Sequence, residues 1–201
     1  MESFQENLIK KIGKDNFRKV QSARVGLAGA GGLGSSCALS LVRVGFKKMT
    51  IVDFDSVVPS NLDRQFYFLD QVGLKKTEAL KANLLRVNPD LELTLIDRKI
   101  KKDNIAELFG ACSIVVECLD QAESKSMLVT ELLNLGKFVI AVSGVGGIGS
   151  SDDLKVHRIN DRLILVGDLV SDISKKPALS PRVNIAAAKQ ADLVLDFVIS
   201  A

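Results

Sequence analysis

A glycine-rich segment between two apolar stretches constrains this chain more than any other feature. It runs Gly29-x-Gly31-x-x-Gly34, after an apolar run at residues 23–28 and before a nearly all-apolar stretch at residues 35–44. The first stretch predicts a strand and the second a buried helix. Glycines between them leave backbone N–H groups facing outward at the start of a helix, where the helix dipole favours a phosphate. The segment therefore predicts a nucleotide-binding turn.

The next predicted strand ends in an acidic residue. Residues 49–53 form an apolar run that closes on Asp53. An acid at this place accepts hydrogen bonds from both hydroxyls of a ribose. Because this suits NAD and ATP equally, the glycine segment and Asp53 together predict a nucleotide without specifying a reaction.

Helix and strand patterns alternate through the rest of the chain. Helices are predicted over residues 75–87, 104–109 and 122–135, and strands over residues 91–96, 113–118 and 138–142. An antiparallel hairpin is predicted within residues 152–167, and a last helix over residues 181–199. The fold class that follows is α/β: a Rossmann-like, doubly wound and mostly parallel sheet with a small antiparallel extension near the C-terminus. We predict a single domain over residues 1–201, which begins with a helical entry over residues 1–22.

Composition excludes several other classes of protein. The chain has 201 residues, 47% of them apolar, which suits one globular domain. A net charge of +3 with no basic block argues against a nucleic-acid partner. No apolar run reaches the length of about 20 residues that a membrane span needs, and the polar N-terminus does not resemble a secretory signal, so we predict a cytoplasmic protein with no membrane partner.

The three cysteines are Cys37, Cys112 and Cys118, and they form no C-x-x-C pair. No structural zinc is therefore expected. Cys37 and Cys118 lie inside apolar elements and are interpreted as core residues, whereas the pattern leaves Cys112 open.

A second glycine cluster at residues 144–149 differs from the first. It follows a predicted strand but leads into Ser150, Ser151 and two aspartates rather than into a helix. Because no helix N-terminus stands behind it, we interpret it as a flexible loop or a close backbone approach and not as a phosphate site.

Polar residues suited to phosphates follow the second strand. The segment from Asp53 to Gln65 carries Asn61 and Arg64, an amide and a guanidinium that both suit phosphate oxygens. Lys76 stands at a predicted helix start, against the preference of the dipole, which an anionic ligand nearby would explain. Asp120 ends another buried strand and is a natural Mg²⁺ ligand beside phosphates.

These segments together resemble the ThiF/MoeB/ubiquitin-activating superfamily, and among its members the short bacterial ThiF type most closely. The resemblance rests on GAGGLG, the pattern VDFDxVxxSNLxRQ, VGxxKxE and the acid at Asp120, and it covers essentially the whole chain. The SNLxRQ element is highly specific, since ordinary dehydrogenases lack it. A GxGSS-like loop at residues 147–151 and a Pro-Arg-Val helix start at residues 181–183 match the short type.

The resemblance implies an ATP-dependent adenylyltransferase. Its substrate would be the C-terminal glycine carboxylate of a small sulfur-carrier protein, ThiS-like and ending in Gly-Gly, activated with release of pyrophosphate for thiamine thiazole synthesis. The implied cofactors are ATP and Mg²⁺, and the implied assembly is a homodimer. Many relatives insert an N-terminal arginine into the partner's site; here that segment is not recognisable, and Arg18 is the nearest candidate.

The resemblance also assigns roles to residues. Asp53 would hold the ribose, Asp120 would bind Mg²⁺, and Arg64 and Lys76 would act with Asp120 as the catalytic residues. The implied nucleotide-binding residues are Gly29, Gly31, Gly32, Leu33, Gly34, Asp53, Asp55, Asn61 and Gln65.

Three alternatives remain open at this point. The carboxylate could belong to another acceptor, such as a MoaD-like carrier. An NAD-dependent oxidoreductase would fit the glycine segment and Asp53, although the only histidine is His157, in the predicted hairpin. A non-catalytic docking module would be marked by loss of Arg64, Lys76 or Asp120, all of which are present.

Overall fold

A seven-stranded sheet forms the centre of the computed structural model, which describes residues 3–200. The strands are β1 Arg24–Ala28, β2 Lys48–Val52, β3 Glu92–Ile96, β4 Ile114–Glu117, β5 Phe138–Val142, β6 Lys155–Asn160 and β7 Leu163–Gly167. Their order is β3-β2-β1-β4-β5-β7-β6, and all neighbours are parallel except β6 and β7. The predicted fold class, a mostly parallel doubly wound sheet with a small antiparallel extension, is confirmed.

Helices cover both faces of the sheet. They are α1 Phe4–Ile12, α2 Lys14–Ser22, α3 Gly32–Arg43, α4 Lys76–Leu85, α5 Ile105–Phe109, α6 Ala122–Asn134 and α7 Ser180–Ser200. One hydrophobic cluster includes buried residues of α3, α4 and α7, and a second includes those of α5 and α6. Among residues 3–200, no helix combines the length and apolar content that a membrane crossing requires.

Two helix starts differ from the sequence prediction by more than one residue. The predicted entry over residues 1–22, of which residues 1 and 2 lie outside the described part, contains two helices that meet at Gly13. Gly13 has φ +82°, a conformation that favours glycine, and it ends α1 and begins α2. The helix α3 begins at Gly32 rather than at residue 35, because the glycine segment itself forms the first turn and Ser35 N–H donates to Gly31 O at 2.9 Å.

The strand order opens a crevice at one edge of the sheet. Strand β1 pairs with β2 on one side and with β4 on the other, and Ala28 lies opposite both Val52 and Glu117. From β1 the chain continues to β2 on one side of the sheet order, and from β4 it continues to β5 on the other side. Open α/β sheets bind ligands at such a point, beyond the carboxyl ends of their strands. The glycine segment, Asp53 and Asp120 all follow strands that end at this edge.

Gly34 allows α3 to start against the end of β1. A Cβ atom at this position would overlap the carbonyl oxygen of Gly29 and lie 3.3 Å from Cys118 Cβ. At Gly31 the nearest atom to an added Cβ is Gln65 Nε2, at 3.8 Å, which is ordinary van der Waals contact. A side chain is therefore excluded at Gly34 by the neighbouring backbone, whereas the space beside Gly31 would admit one.

Gly34→Ala should destabilise the fold by about 3 kcal/mol, the upper part of the range for overpacking, because backbone must move to admit the methyl group. Gly31→Ala is the matched control and should change the free energy of unfolding by less than about 1 kcal/mol. Urea denaturation followed by circular dichroism measures both. Equal midpoints for the two variants would contradict this account of the turn.

Candidate functional site

The glycine segment is hydrogen-bonded to the end of β2 and lies against the end of β4. Gly29 has φ +108°, and its N–H donates to Val52 O at 2.9 Å. A Cβ on Gly29 would lie 2.8 Å from Cys118 O, so only glycine lets the loop approach β4 this closely. The next residue, Ala30, is completely buried. The loop therefore has a fixed position beneath the open edge of the sheet.

A closed set of hydrogen bonds, here called the hydrogen-bond ring, joins this loop to α4. Ala30 N–H donates to Asp53 Oδ2 at 2.7 Å, and Asp55 N–H donates to Asp53 Oδ1 at 2.8 Å. Lys76 Nζ donates to Asp55 Oδ2 at 2.8 Å. The Tyr67 hydroxyl closes the ring by donating to Ala30 O at 2.6 Å and to Lys76 O at 3.3 Å. The ring thereby holds together five residues from four separate stretches of the chain.

Burial sets the protonation behaviour of two members of the ring. Desolvation raises the pKa of Asp53 above its ordinary value, although the Ala30 N–H and the charge of Lys76 oppose the shift. Burial and the two nearby carboxylates raise the pKa of Tyr67 far above its usual range. The Tyr67 hydroxyl consequently stays protonated at neutral pH and acts as a donor.

The SNLxRQ segment lies over the glycine segment. Gln65 Nε2 is the nearest atom to the open side of Gly31, and Gln65 Oε1 is buried with no hydrogen-bond partner among the described residues. The aliphatic part of the Arg64 side chain lies beside Gly32, and Arg64 Nη1 donates to Asp63 Oδ1 at 2.6 Å. Asn61 is buried, and its Oδ1 accepts a hydrogen bond from the backbone of its own turn.

The two lysines at the start of α4, Lys75 and Lys76, occupy different environments. Lys75 is exposed and pairs with Asp97 at 3.1 Å. Lys76, the first residue of α4, is only 6% exposed, and its ammonium group is bound by Asp55. Lys76 is thus the lysine that is held inside the crevice.

Asp120 lies on the loop after β4, at the same edge of the sheet as the glycine segment. Cys118 N–H still donates to Ala28 O at 3.0 Å, so β4 and β1 separate just before this loop begins. Asp120 itself is exposed. A carboxylate here is accessible to a ligand above the glycine segment.

Sequence reasoning missed a buried ion pair that fixes this loop. Glu117 is completely buried, and both its oxygens accept from Lys125 Nζ, at 2.9 and 2.8 Å. Leu119 N–H donates to Glu117 Oε1 at 2.6 Å, and Lys125 Nζ also donates to Leu119 O at 2.7 Å. The signal in the sequence was an acid at the end of the apolar run of β4, with a lysine eight positions later.

Arg182 organises the second glycine cluster at residues 144–149. It is 5% exposed and lies in the first turn of α7. Its Nη1 donates to two carbonyls of the loop at 2.6 and 2.9 Å, and Nη2 pairs with Asp168 at 2.8 Å. A Cβ on Gly146 would lie 2.8 Å from Lys176 O, which is a close backbone approach. Beside this loop is a cavity of about 350 Å³.

All three cysteines are buried. Desolvation raises the pKa of Cys37 to about 12 and raises the pKa of Cys118 well above its usual range. Cys112, which the sequence left open, is 1% exposed, and burial raises its pKa as well. Their burial is typical of core residues and keeps the thiols protonated at neutral pH.

Most predicted site residues therefore surround one crevice. Gly29, Gly31 and Gly32 form its floor; Asp53, Asp55 and Lys76 belong to the hydrogen-bond ring; and Arg64 and Gln65 lie beside Gly32 and Gly31. Asp120 is exposed on the loop after β4, at the same end of the sheet. Gly34 and Leu33 support it from below, and Asn61 shapes the turn that carries Arg64. An N-terminal helix turn, a buried lysine and accessible acids in this arrangement suit a nucleoside with phosphates and a metal ion. The individual roles of these residues stay predictions.

Comparison with known proteins adds independent findings. The model of the ThiF family matches residues 4–151, which is more than half of the chain. The chain is 36% identical over 132 residues to the adenylyltransferase and sulfurtransferase UBA4 of Eremothecium gossypii, across 65% of this chain and 30% of that protein. It is 30% identical over 122 residues to the molybdopterin-synthase adenylyltransferase of Haemophilus influenzae, across 60% of this chain and 50% of that protein.

Two further similarities concern another enzyme. The chain is 31% identical over 170 residues to tRNA threonylcarbamoyladenosine dehydratase 2 of Saccharomyces cerevisiae, across 83% of this chain and 36% of that protein. Its fold matches the crystal structure of the E. coli tRNA N6-threonylcarbamoyladenosine dehydratase in complex with AMP, with a TM-score of 0.88 and 20% identity over 96% of this chain and 93% of that one. The chain thus spans half or less of the length of these three curated relatives.

The buried pair of Glu117 and Lys125 can be tested directly. Lys125→Ala removes the ammonium group that pairs with a fully buried carboxylate, and we expect the free energy of unfolding to fall by about 3–5 kcal/mol. Lys102→Ala, which breaks the pair of the exposed Lys102 with the half-buried Glu131, is the control and should cost at most about 1 kcal/mol. Denaturant titration compares the variants. A loss at Lys125 no larger than that at Lys102 would contradict the assigned role.

Proposed function

This chain belongs to the ThiF family, and we propose from that premise that it adenylates the C-terminal glycine carboxylate of a small sulfur-carrier protein with ATP and releases pyrophosphate. One observation carries the proposal. The hydrogen-bond ring brings Asp53, an acid suited to a ribose, and Lys76, a cation suited to phosphates, together beside the glycine segment that begins α3. The named adenylyltransferases among its relatives support the same reaction class.

The crevice fits the nucleoside part of ATP. Asp53 presents a carboxylate whose two oxygens are already oriented by the N–H groups of Ala30 and Asp55, and each oxygen can still accept from a ribose hydroxyl. Gln65, whose Nε2 lies beside Gly31, has a buried Oε1 that finds no donor within residues 3–200. A hydroxyl or amino group of a nucleoside would supply that donor, which relieves the cost of leaving a buried acceptor unpaired.

The phosphates would lie at the first turn of α3, between two cations. Lys76 is bound by Asp55 and Arg64 by Asp63. Each acid holds its cation near the crevice, and each cation would turn to phosphate oxygens when ATP enters. Arginine and lysine at these places would neutralise the charge that develops during transfer.

Asp120 is the residue that we expect to hold Mg²⁺. An exposed carboxylate beside phosphates fits this ion, which usually takes one or two carboxylates together with phosphate oxygens. When bound, Mg²⁺ would neutralise charge on the phosphates. The Glu117–Lys125 pair fixes the loop that carries Asp120, so this carboxylate has a defined position.

The reaction needs little covalent chemistry from the protein. A carboxylate oxygen of the terminal glycine forms a bond to the α-phosphorus, and the bond from that phosphorus to the oxygen of pyrophosphate breaks. The attacking carboxylate is already ionised at neutral pH, so no general base is required. Orientation and charge neutralisation by the crevice carry the rate.

The finer assignment is to a ThiS-like carrier in thiamine thiazole synthesis, in a homodimer. Its support is the pair of segments that resemble the short ThiF type, residues 147–151 and residues 181–183, which meet where Arg182 binds the loop carbonyls. Strands β4 and β5 are buried, so within residues 113–142 the helix α6 would provide most of the surface for a dimer contact.

A second candidate is the dehydration of threonylcarbamoyladenosine in tRNA. The observation that favours it is the alignment with the yeast dehydratase, which covers 83% of this chain. That modified base also carries a free carboxylate, so the same adenylation chemistry would apply. The net charge of +3 without a basic block supports the protein carrier over an RNA substrate.

Isotopic exchange between pyrophosphate and ATP tests both candidates. With a purified small protein ending in Gly-Gly, we expect exchange that depends on the terminal glycine. Asp120→Ala should reduce the exchange rate by about 10²–10³-fold, as should Arg64→Ala and Lys76→Ala, while Asp53→Ala should chiefly raise the Michaelis constant for ATP. Asp90→Ala, at an exposed turn on the opposite edge of the sheet, is the control and should leave exchange unchanged.

Three outcomes would oppose the proposal. Exchange that persists after removal of the terminal glycine would exclude the carrier carboxylate. Exchange supported by tRNA bearing threonylcarbamoyladenosine, and not by the carrier, would select the second candidate. Hydride transfer to NAD in place of exchange would favour an oxidoreductase.

A further inference from the structure

We propose that the Tyr67 hydroxyl is a positioning group that holds the glycine segment and Lys76 at a fixed separation for adenylyl transfer. Tyr67 stands just beyond the SNLxRQ segment and was not among the site residues that the sequence predicted. The inference rests on the proposed function, because it concerns how the crevice is shaped for the phosphates of ATP.

The hydroxyl connects the two parts of the crevice that would contact phosphate. It donates to Ala30 O at 2.6 Å and shares the same hydrogen with Lys76 O at 3.3 Å. Ala30 belongs to the glycine segment, and Lys76 is the first residue of α4. The phenol ring thus bridges two chain segments that are 46 positions apart in sequence.

Both backbone polar groups of Ala30, its N–H and its carbonyl, are held by hydrogen bonds in this arrangement. Its N–H is held by Asp53 Oδ2 at 2.7 Å, and its carbonyl is held by Tyr67. The carbonyl of Ala30 and the N–H of Gly31 belong to one peptide plane, so the hydrogen bond from Tyr67 restricts rotation there and sets the direction of the Gly31 N–H. That N–H belongs to the turn that would face a phosphate at the start of α3.

The side chain of Tyr67 is suited to this role rather than to catalysis. It is 6% exposed, and its hydroxyl faces backbone carbonyls instead of the open crevice. A phenylalanine would fill the same volume, so core packing alone does not require the oxygen atom. What the hydroxyl adds is the bridge between Ala30 and Lys76.

Tyr67→Phe removes the hydroxyl and keeps the aromatic side chain that packs in the core. In the carrier-dependent exchange assay, we expect kcat/KM for ATP to fall about 10- to 100-fold, with most of the loss in kcat, because the glycine segment and Lys76 lose their mutual alignment. Ser40→Ala is the matched control, since it removes a hydroxyl that donates within α3 at 3.0 Å. It should leave kcat and KM unchanged.

A purely structural role for the hydroxyl predicts a different pattern. The melting temperature of Tyr67→Phe would then fall while kcat and KM of the folded enzyme stayed at the wild-type values. That result, with the wild-type protein active, would overturn the inference and leave the proposed function intact.

A second measurement needs no mutation at this position. Tyr67 is the only tyrosine in the chain, so protein grown with 3-fluorotyrosine carries a single ¹⁹F signal. We expect one narrow signal before and after ATP and Mg²⁺ bind, because the hydroxyl is held by the same two backbone carbonyls in both states. A bound-state signal that splits or broadens by exchange while calorimetry records ATP binding would overturn the inference alone; absence of ATP binding would overturn the proposed function together with it.

Discussion

The contact between the Asp53 carboxylate and the Ala30 N–H determines the geometry of the whole crevice. One oxygen of Asp53 holds the glycine segment and the other holds the backbone of Asp55, whose side chain in turn holds Lys76. The carboxylate is partly desolvated, and the shift that burial imposes on the pKa of Asp53 is opposed by these same N–H groups and by Lys76. A buried acid is tolerated here because hydrogen bonds and a nearby cation stabilise its charge.

The sheet places this contact where a ligand can reach it. Strands β2 and β4 flank β1 in parallel, so residues that follow all three meet at one edge although they are far apart in sequence. The buried pair of Glu117 and Lys125 fixes the loop after β4 in the way that Asp53 fixes the loop after β1. Two anchored loops beside the α3 N-terminus form a preorganised crevice, which is what the proposed adenylyl transfer would require of the protein.

Sequence patterns predicted the parts of this site that depend on topology. Asp53 and Asp120 could be assigned to one edge because parallel strands share the direction in which they end. Tyr67, Glu117 and Lys125 could not be assigned, because their partners depend on how the loop after β2 folds back and how α6 packs on β4. The break at Gly13 was missed although Gly13 is the only glycine of residues 1–22, because a polar helical pattern does not by itself show that a glycine will adopt a positive φ.

The central claim is that the crevice is built for ATP and that Lys76 is held ready by Asp55. A crystal structure with a non-hydrolysable ATP analogue and Mg²⁺ tests it most directly. The account predicts the ribose at Asp53, phosphates at the first turn of α3, and Lys76 Nζ moved from Asp55 to a phosphate oxygen, while the contact of Ala30 with Asp53 persists. An analogue bound elsewhere, or Lys76 still paired with Asp55 beside bound phosphates, would contradict it.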